Sequence, residues 1–177
     1  MTAAAPNGAE HEAKALRDAF GTFATGVTIV TVGGAMPHGM TANSFSSVSL
    51  DPPLVLVCVD RTAVMHGVLG AAEHFGVSVL AGDQEGVARH FATRRRGLGA
   101  SQFESVNWWQ GPVTGVPLIS GALASLECEL WRGYDGGDHT IFVGRVTALQ
   151  RGEGSDALLF HGGKLRRLAP LISEVRT

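Results

Sequence analysis

The chain has 177 residues, with 14 Lys and Arg against 16 Asp and Glu, a formal net charge of -2 and an isoelectric point near 6.4. That length fits one domain, and the charge balance excludes the strongly basic face of a dedicated nucleic-acid binder and the polybasic patch of a membrane-surface protein. Charged residues make up 17% of the chain, below the typical ~25%, so part of the surface is expected to be covered by a second copy or a bound ligand.

Residues 1–9 are small and polar and read as a disordered tail, leaving 10–177 as a single domain. They carry no basic stretch followed by an apolar run, so no signal peptide is read there. Residues 10–21 predict a short amphipathic helix, with Ala13, Leu16, Ala19 and Phe20 at helical spacing. Residues 19–50 hold no Asp, Glu, Lys or Arg, yet they hold too many Gly, Ser and Thr for a membrane span. The expectation is a cytoplasmic protein.

From Val27 to Val32 every residue is β-branched, which predicts a strand, ended by Gly33-Gly34. Residues 39–50 read as a second, polar strand. Beyond Pro52-Pro53, the run Leu54–Val59 predicts a fully buried strand. Thr62 is placed to cap a helix through Leu69, and Asp83 a helix through Phe91, with a buried strand, Phe75–Leu80, between them. Residues 93–116 read as a long irregular loop, with Arg94, Arg95 and Arg96 as solvated charges or an anion clamp. Two long strands, 122–134 and 138–150, are joined at Asp135-Gly136-Gly137. In the first, Leu126, Cys128 and Leu130 alternate with Glu127 and Glu129, predicting one buried and one wet face. Leu158–Phe160 is a last short strand. The class is mainly β: a mostly antiparallel sheet, curled into a barrel to hide its edges, with short inserted helices.

Most catalytic motifs are absent: no GxSxG, no HExxH and no Gly-x4-Gly-Lys. Gly152, Gly154 and Ala157 fit GxGxx[GA], followed by Glu174, but too little chain remains for a dinucleotide-binding βαβ unit. Cys58 and Cys128 have no metal-ligand neighbours in the sequence and read as two buried thiols of a reducing compartment. The histidines are scattered. The informative segment is 38–53, HGMTANSFSSVSLDPP. Its small, uncharged side chains let a planar heterocycle approach the backbone and offer hydroxyl and amide partners to the ring edge. The helix start at Arg61-Thr62 offers free NH groups to a phosphate. Ring plus phosphate points to a flavin nucleotide.

Four segments together, FGTFATGVTIVTV, HGMTANSFSSVSLDPPLVLVCVD, FGVSVL and GDHTIFVGRV, resemble the flavin reductase-like family in order and spacing, over roughly residues 14–168. The resemblance implies a homodimeric split β-barrel that binds FMN or FAD. It implies reduction of that flavin by NADH or NADPH, and release of the reduced flavin to a separate monooxygenase. By the same resemblance, Thr41, Ala42, Asn43 and Ser44 lie along the isoalloxazine edge with Ser47 nearby. Asp60, Arg61, Thr62 and Ala63 sit at the ribityl phosphate. His90, Phe91 and Ala92 make a second flavin contact. Asp138 and His139 approach the nicotinamide, with His139 orienting it or protonating the reduced flavin. Leu165 stands where family members often carry an aromatic residue. Two other readings compete. One is a flavin- or haem-binding carrier or sensor of the same fold without NAD(P)H turnover. The other is an interaction module with Trp108 and Trp109 as its hot spot.

Overall fold

The computed structural model describes residues 7–93, 96–154 and 156–168. The elements in chain order are α1 (Asn7–Phe20), β1 (Thr25–Gly26), β2 (Thr28–Val32), β3 (His38–Ala42), β4 (Ser46–Leu50), β5 (Pro53–Asp60), α2 (Val64–Gly70), β6 (His74–Val79) and α3 (Glu85–Ala92). A 3-10 turn (Gly99–Phe103) then leads to β7 (Trp108–Gln110), β8 (Pro117–Ile119), β9 (Ala124–Gly136), β10 (His139–Arg151), β11 (Leu158–His161) and β12 (Lys164–Arg167). The protein is mainly β, and every pairing among the described residues is antiparallel.

The principal sheet has seven strands in the order β3-β2-β6-β9-β10-β5-β4. Its two edge strands, β3 and β4, are neighbours in the chain, joined by the connector Asn43, Ser44 and Phe45. A flat sheet would hold those edges about 29 Å apart at ~4.8 Å per strand. The connector's four Cα steps reach at most about 14 Å. The sheet must therefore curl until its edges nearly meet, and the open seam between β3 and β4 falls at the connector.

At strand β2 both faces of the sheet are dry. Val30 and Val32 point into one apolar cluster with Val57, Phe75, Val77 and Phe142. Ile29, one position out of phase, enters a second cluster with Leu80, Ala88, Phe91 and Leu158, as the two-residue side-chain period requires. The buried hydroxyl of Thr28 donates to the Ala42 carbonyl at 2.9 Å, and that of Thr31 to Pro117, so neither is left unpaired.

Several sequence expectations need correction. Helix α1 starts at Asn7, inside the stretch read as a tail, and residues 1–6 lie outside the described residues. The polar strand read over 39–50 is two strands on opposite edges of the sheet. Strand β5 is not fully buried: Val55, Val57 and Val59 enter the core, while Leu54, Leu56, Cys58 and Asp60 between them stay half-exposed. Thr62 does not cap α2: Ala63 stands at the N-cap, and the Thr62 amide and hydroxyl both donate to Asp60 Oδ1 at 2.7 Å. Asp83 does not cap α3, where Gln84 takes that place and accepts from the Ala81 amide. The loop read over 93–116 contains the 3-10 turn and the strand β7, which pairs with β8. The long hairpin turns at Gly137-Asp138, one step later than read, with Gly137 at φ +78°. Strands β8 and β12 were not expected at all.

Glu127 is the largest departure. Alternation predicts a wet side chain, but it is buried. Its carboxylate accepts from the amides of Val113 and Thr114 and from the Thr114 hydroxyl, at 2.6–3.1 Å to Oε2. The turn before β8 folds over that face of β9 and supplies the donors a buried carboxylate needs. Gly152 and Gly154 hold no nucleotide motif. A Cβ at Gly152 would stand 2.2 Å from the Ala122 carbonyl oxygen, so this glycine permits a close backbone crossing.

Candidate flavin and nicotinamide site

Two clefts lie beside the connector and share Thr41 and Ala92 as lining residues. The first, of about 450 Å³, is walled by Val27, Ala88, Phe160 and Leu165, with Thr41, Asn43, Arg89 and Lys164 supplying its polar groups. The second, of about 360 Å³, is lined by His38, Met40, Asp60, Thr62, Ala63, Phe91 and Arg96, among others. Each cleft is apolar with a few convergent polar groups, the composition of a small-molecule site.

The connector is held rather than loose. The Ser44 hydroxyl donates to the Cys58 carbonyl at 2.8 Å and accepts from the Cys58 amide at 3.1 Å, so one side chain substitutes for a missing strand partner of β5. Thr41 donates to the Ala88 carbonyl at 2.7 Å and fixes β3 against α3. Asn43, between them, is exposed and faces the first cleft. Ala42 turns into the core. Ser47 lies exposed on β4 and lines neither cleft.

Asp60, Thr62 and Ala63 line the second cleft, whereas Arg61 turns away from it toward the β9–β10 hairpin. Phe91 and Ala92 line the second cleft too. His90 is occupied elsewhere, with Nε2 2.7 Å from the Gln102 carbonyl oxygen. Asp138 lies in the turn of the hairpin, and His139 is the first residue of β10 beside it. His139 pairs across the sheet with Asp60, and its Nδ1 is 2.7 Å from Asp138 Oδ1. The residues expected at the phosphate and at the nicotinamide are thus brought side by side by the β5–β10 register.

Other lining residues escaped the sequence reading. Gly163 lies in the turn of the β11–β12 hairpin, Gly162-Gly163 with φ +57° and +73°, and Lys164 opens β12 after it. Arg89 lies between Ala88 and Ala92 in α3 and is bound to Glu85 at 2.6 Å. Arg96 is neither a solvated charge nor a free clamp. Its guanidinium donates to the Gln102 side chain and to the Thr93 and Gly39 carbonyls. Burial lowers its pKa from the usual range. Arg94 and Arg95 lie outside the described residues. His38, buried beside Arg96, has its pKa lowered to about 4, first by burial and then by the neighbouring positive charge. It is therefore a neutral acceptor at physiological pH.

The match to the flavin reductase like domain spans residues 20–169. The chain belongs to the flavin reductase family. Its relatives include the NADH-dependent FAD reductase of Streptomyces globisporus, 56% identical over 161 residues, covering 91% of this chain and 88% of that protein. The reductase subunit HsaB of a flavin-dependent monooxygenase from Rhodococcus jostii (strain RHA1) is 35% identical over 155 residues, covering 87% of this chain and 77% of that one. In fold, the chain matches the crystal structure of BorF, the flavin reductase component of a bacterial two-component tryptophan halogenase. That match has a TM-score of 0.85 at 56% identity and covers 88% of this chain and 98% of BorF.

The residues of this flavin reductase fit a flavin. A planar ring needs an apolar slot with polar partners at its rim, which Val27, Ala88, Phe160 and Leu165 with Thr41 and Asn43 offer. Lys164 adds a positive charge to the rim of the same cleft.

Proposed function

We propose that the protein is an NADH-dependent flavin reductase that supplies reduced FAD or FMN to a separate flavin-dependent monooxygenase. The observation behind this reading is the convergence of two clefts at Thr41 and Ala92, beside the Asp138–His139 hairpin, in a chain of this family. When bound, the flavin accepts a hydride from the nicotinamide and carries it to the oxygenase. The protein's task is alignment and exclusion of water, and no acid or base is needed for the hydride step itself.

In this reading Thr41, Asn43 and Ser44 hold the ring edge. Their backbone is fixed by the Ser44–Cys58 and Thr41–Ala88 bonds before any ligand arrives. The turn Asp60–Ala63 meets the flavin's polar tail. His139, steadied by Asp138, meets the nicotinamide. The working unit is a homodimer. Both cysteines are free thiols, which suits the reducing cytoplasm. No helix among the described residues is long and apolar enough to cross a membrane.

The test is to mix the purified protein with NADH and FAD or FMN. Catalytic NADH consumption is expected. A yellow protein without turnover would replace this reading with that of a flavin carrier.

A further inference from the structure

We propose that Arg61 is a positioning residue for hydride transfer: it struts the β9–β10 hairpin against the Asp60–Ala63 turn and so sets where His139 stands. The inference rests on the flavin reductase reading above. Family resemblance assigns Arg61 to the flavin phosphate, but the geometry sends its side chain elsewhere. Its Nε donates to the Gly137 carbonyl at 2.9 Å. Its Nη2 lies 3.3 Å from Asp135 Oδ1. Its own amide donates to the Asp138 carbonyl at 3.0 Å. One residue thus holds three successive parts of a turn whose acidic side chains, Asp135 and Asp138, are 83% and 91% exposed.

The tip of the turn has little packing of its own. Gly137 sits at φ +78° with open space around it, so no side chain of its own packs the tip. The Asp135 carboxylate accepts from the Gly137 amide at 2.8 Å, and this bond, followed by the Arg61 charge, pulls its pKa down. A single exposed ion pair fixes little. Here the planar fork of Arg61 spans a carbonyl and a carboxylate together, a geometry a lysine ammonium does not reproduce. The other end of the strut is equally fixed, because Asp60 Oδ1 holds the amide and hydroxyl of Thr62. The second cleft and the turn of the hairpin are therefore joined through residue 61 in addition to the β5–β10 pairing of Asp60 with His139.

The consequence is a separation of effects. Loss of the strut leaves the flavin contacts of the connector and of Asp60, Thr62 and Ala63 in place but lets the hairpin wander. A misplacement of about 1 Å can slow a reaction up to ~100-fold. The experiment compares wild type, Arg61→Gln, Arg61→Lys and Asp135→Asn. With the Arg61→Gln, Asp135→Asn double variant added, it measures flavin affinity, NADH KM and the anaerobic single-turnover rate of flavin reduction with flavin prebound.

Arg61→Gln is expected to slow flavin reduction by about tenfold or more and to raise the NADH KM, with flavin affinity unchanged within about twofold. Arg61→Lys should fall between it and wild type. Asp135→Asn keeps the turn's acceptor, removes the ion pair and should shift the same parameters less. The double variant should be no worse than Arg61→Gln alone, the non-additivity of two partners in one contact. Should Arg61→Gln fail to fold, Asp135→Asn and Arg61→Lys carry the same comparison. A large loss of flavin affinity with the saturated rate intact would overturn the proposal and return Arg61 to the phosphate. Unchanged rates in all variants would overturn it as well. If wild type itself fails to oxidise NADH, the flavin reductase reading falls and this inference with it.

Discussion

Asn43 and His38, at opposite ends of β3, come to opposite uses. Asn43 lies in the gap between edge strands, where the backbone has no ladder partner and the side chain is free to meet a ligand. Asn43→Ala should weaken flavin binding by up to about tenfold, the loss of one neutral hydrogen bond of ~0.5–1.5 kcal/mol. The melting temperature should hold, since the residue is exposed. Flavin titration of the two proteins checks this, and equal affinities would place Asn43 away from the ring. His38 is instead buried, with its folded pKa near 4 against 6.5 for the unexceptional group. The unfolded chain takes up this proton as pH falls through 6.5, while the folded chain resists until about 4. Its contribution is therefore complete above pH 6.5 and drains away between 6.5 and 4. His38→Gln should flatten that part of the stability–pH curve in chemical denaturation, and an unaltered slope would contradict it.

At the scale of elements, the β7–β8 hairpin depends on one carboxylate. Glu127 on β9 holds Val113 and Thr114, and a Cβ at Gly111 would stand 2.5 Å from its Oε2, so the turn is moulded to this side chain. The hairpin carries Trp108, whose ring lies 5.6 Å from that of Phe103. Glu127→Ala leaves several donors without an acceptor. It should cost about 3 kcal/mol, or roughly 6–12 °C in Tm for a chain of this length. Calorimetry reads the shift, and a change below about 1 kcal/mol would mean that water replaces the carboxylate at no cost. The same strand shows how far pattern can be trusted. Leu126, Cys128 and Leu130 mark one face of β9 correctly as apolar. Glu127 on the other face looks wet in sequence only because the segment that covers it comes earlier in the chain and carries no signal of where it folds.

For the whole molecule, the low charged fraction finds its counterpart in exposed apolar residues. Leu16 and Phe20 of α1 are 49% and 71% exposed, Phe23 76%, and Leu50 on the edge strand β4 95%. The amphipathic spacing of α1 was legible in sequence, and among the described residues its apolar side chains Leu16 and Phe20 stay exposed. The prediction at this scale is a homodimer that covers this surface. Sedimentation at micromolar concentration should give twice the 18.5 kDa chain mass, and Phe20→Glu with Phe23→Glu should shift it toward monomer. A stable wild-type monomer would refute the dimer.

The sequence by itself determined the class and most strands, because β-branched runs and two-residue alternation are local properties of the chain. It also marked the connector, since a run of small uncharged residues is visible without coordinates, and its order relative to the later hairpin carried the family. Only the tertiary structure decided that 39–50 is two strands on opposite edges, because curling is set by which strands pair at long range. It alone decided that Asp60 meets His139, that Arg61 reaches the hairpin and that Glu127 is buried. The first two join segments more than 70 residues apart through the β5–β10 pairing, and the third depends on a turn 13 and 14 residues earlier folding back over β9, so no local preference speaks for any of them.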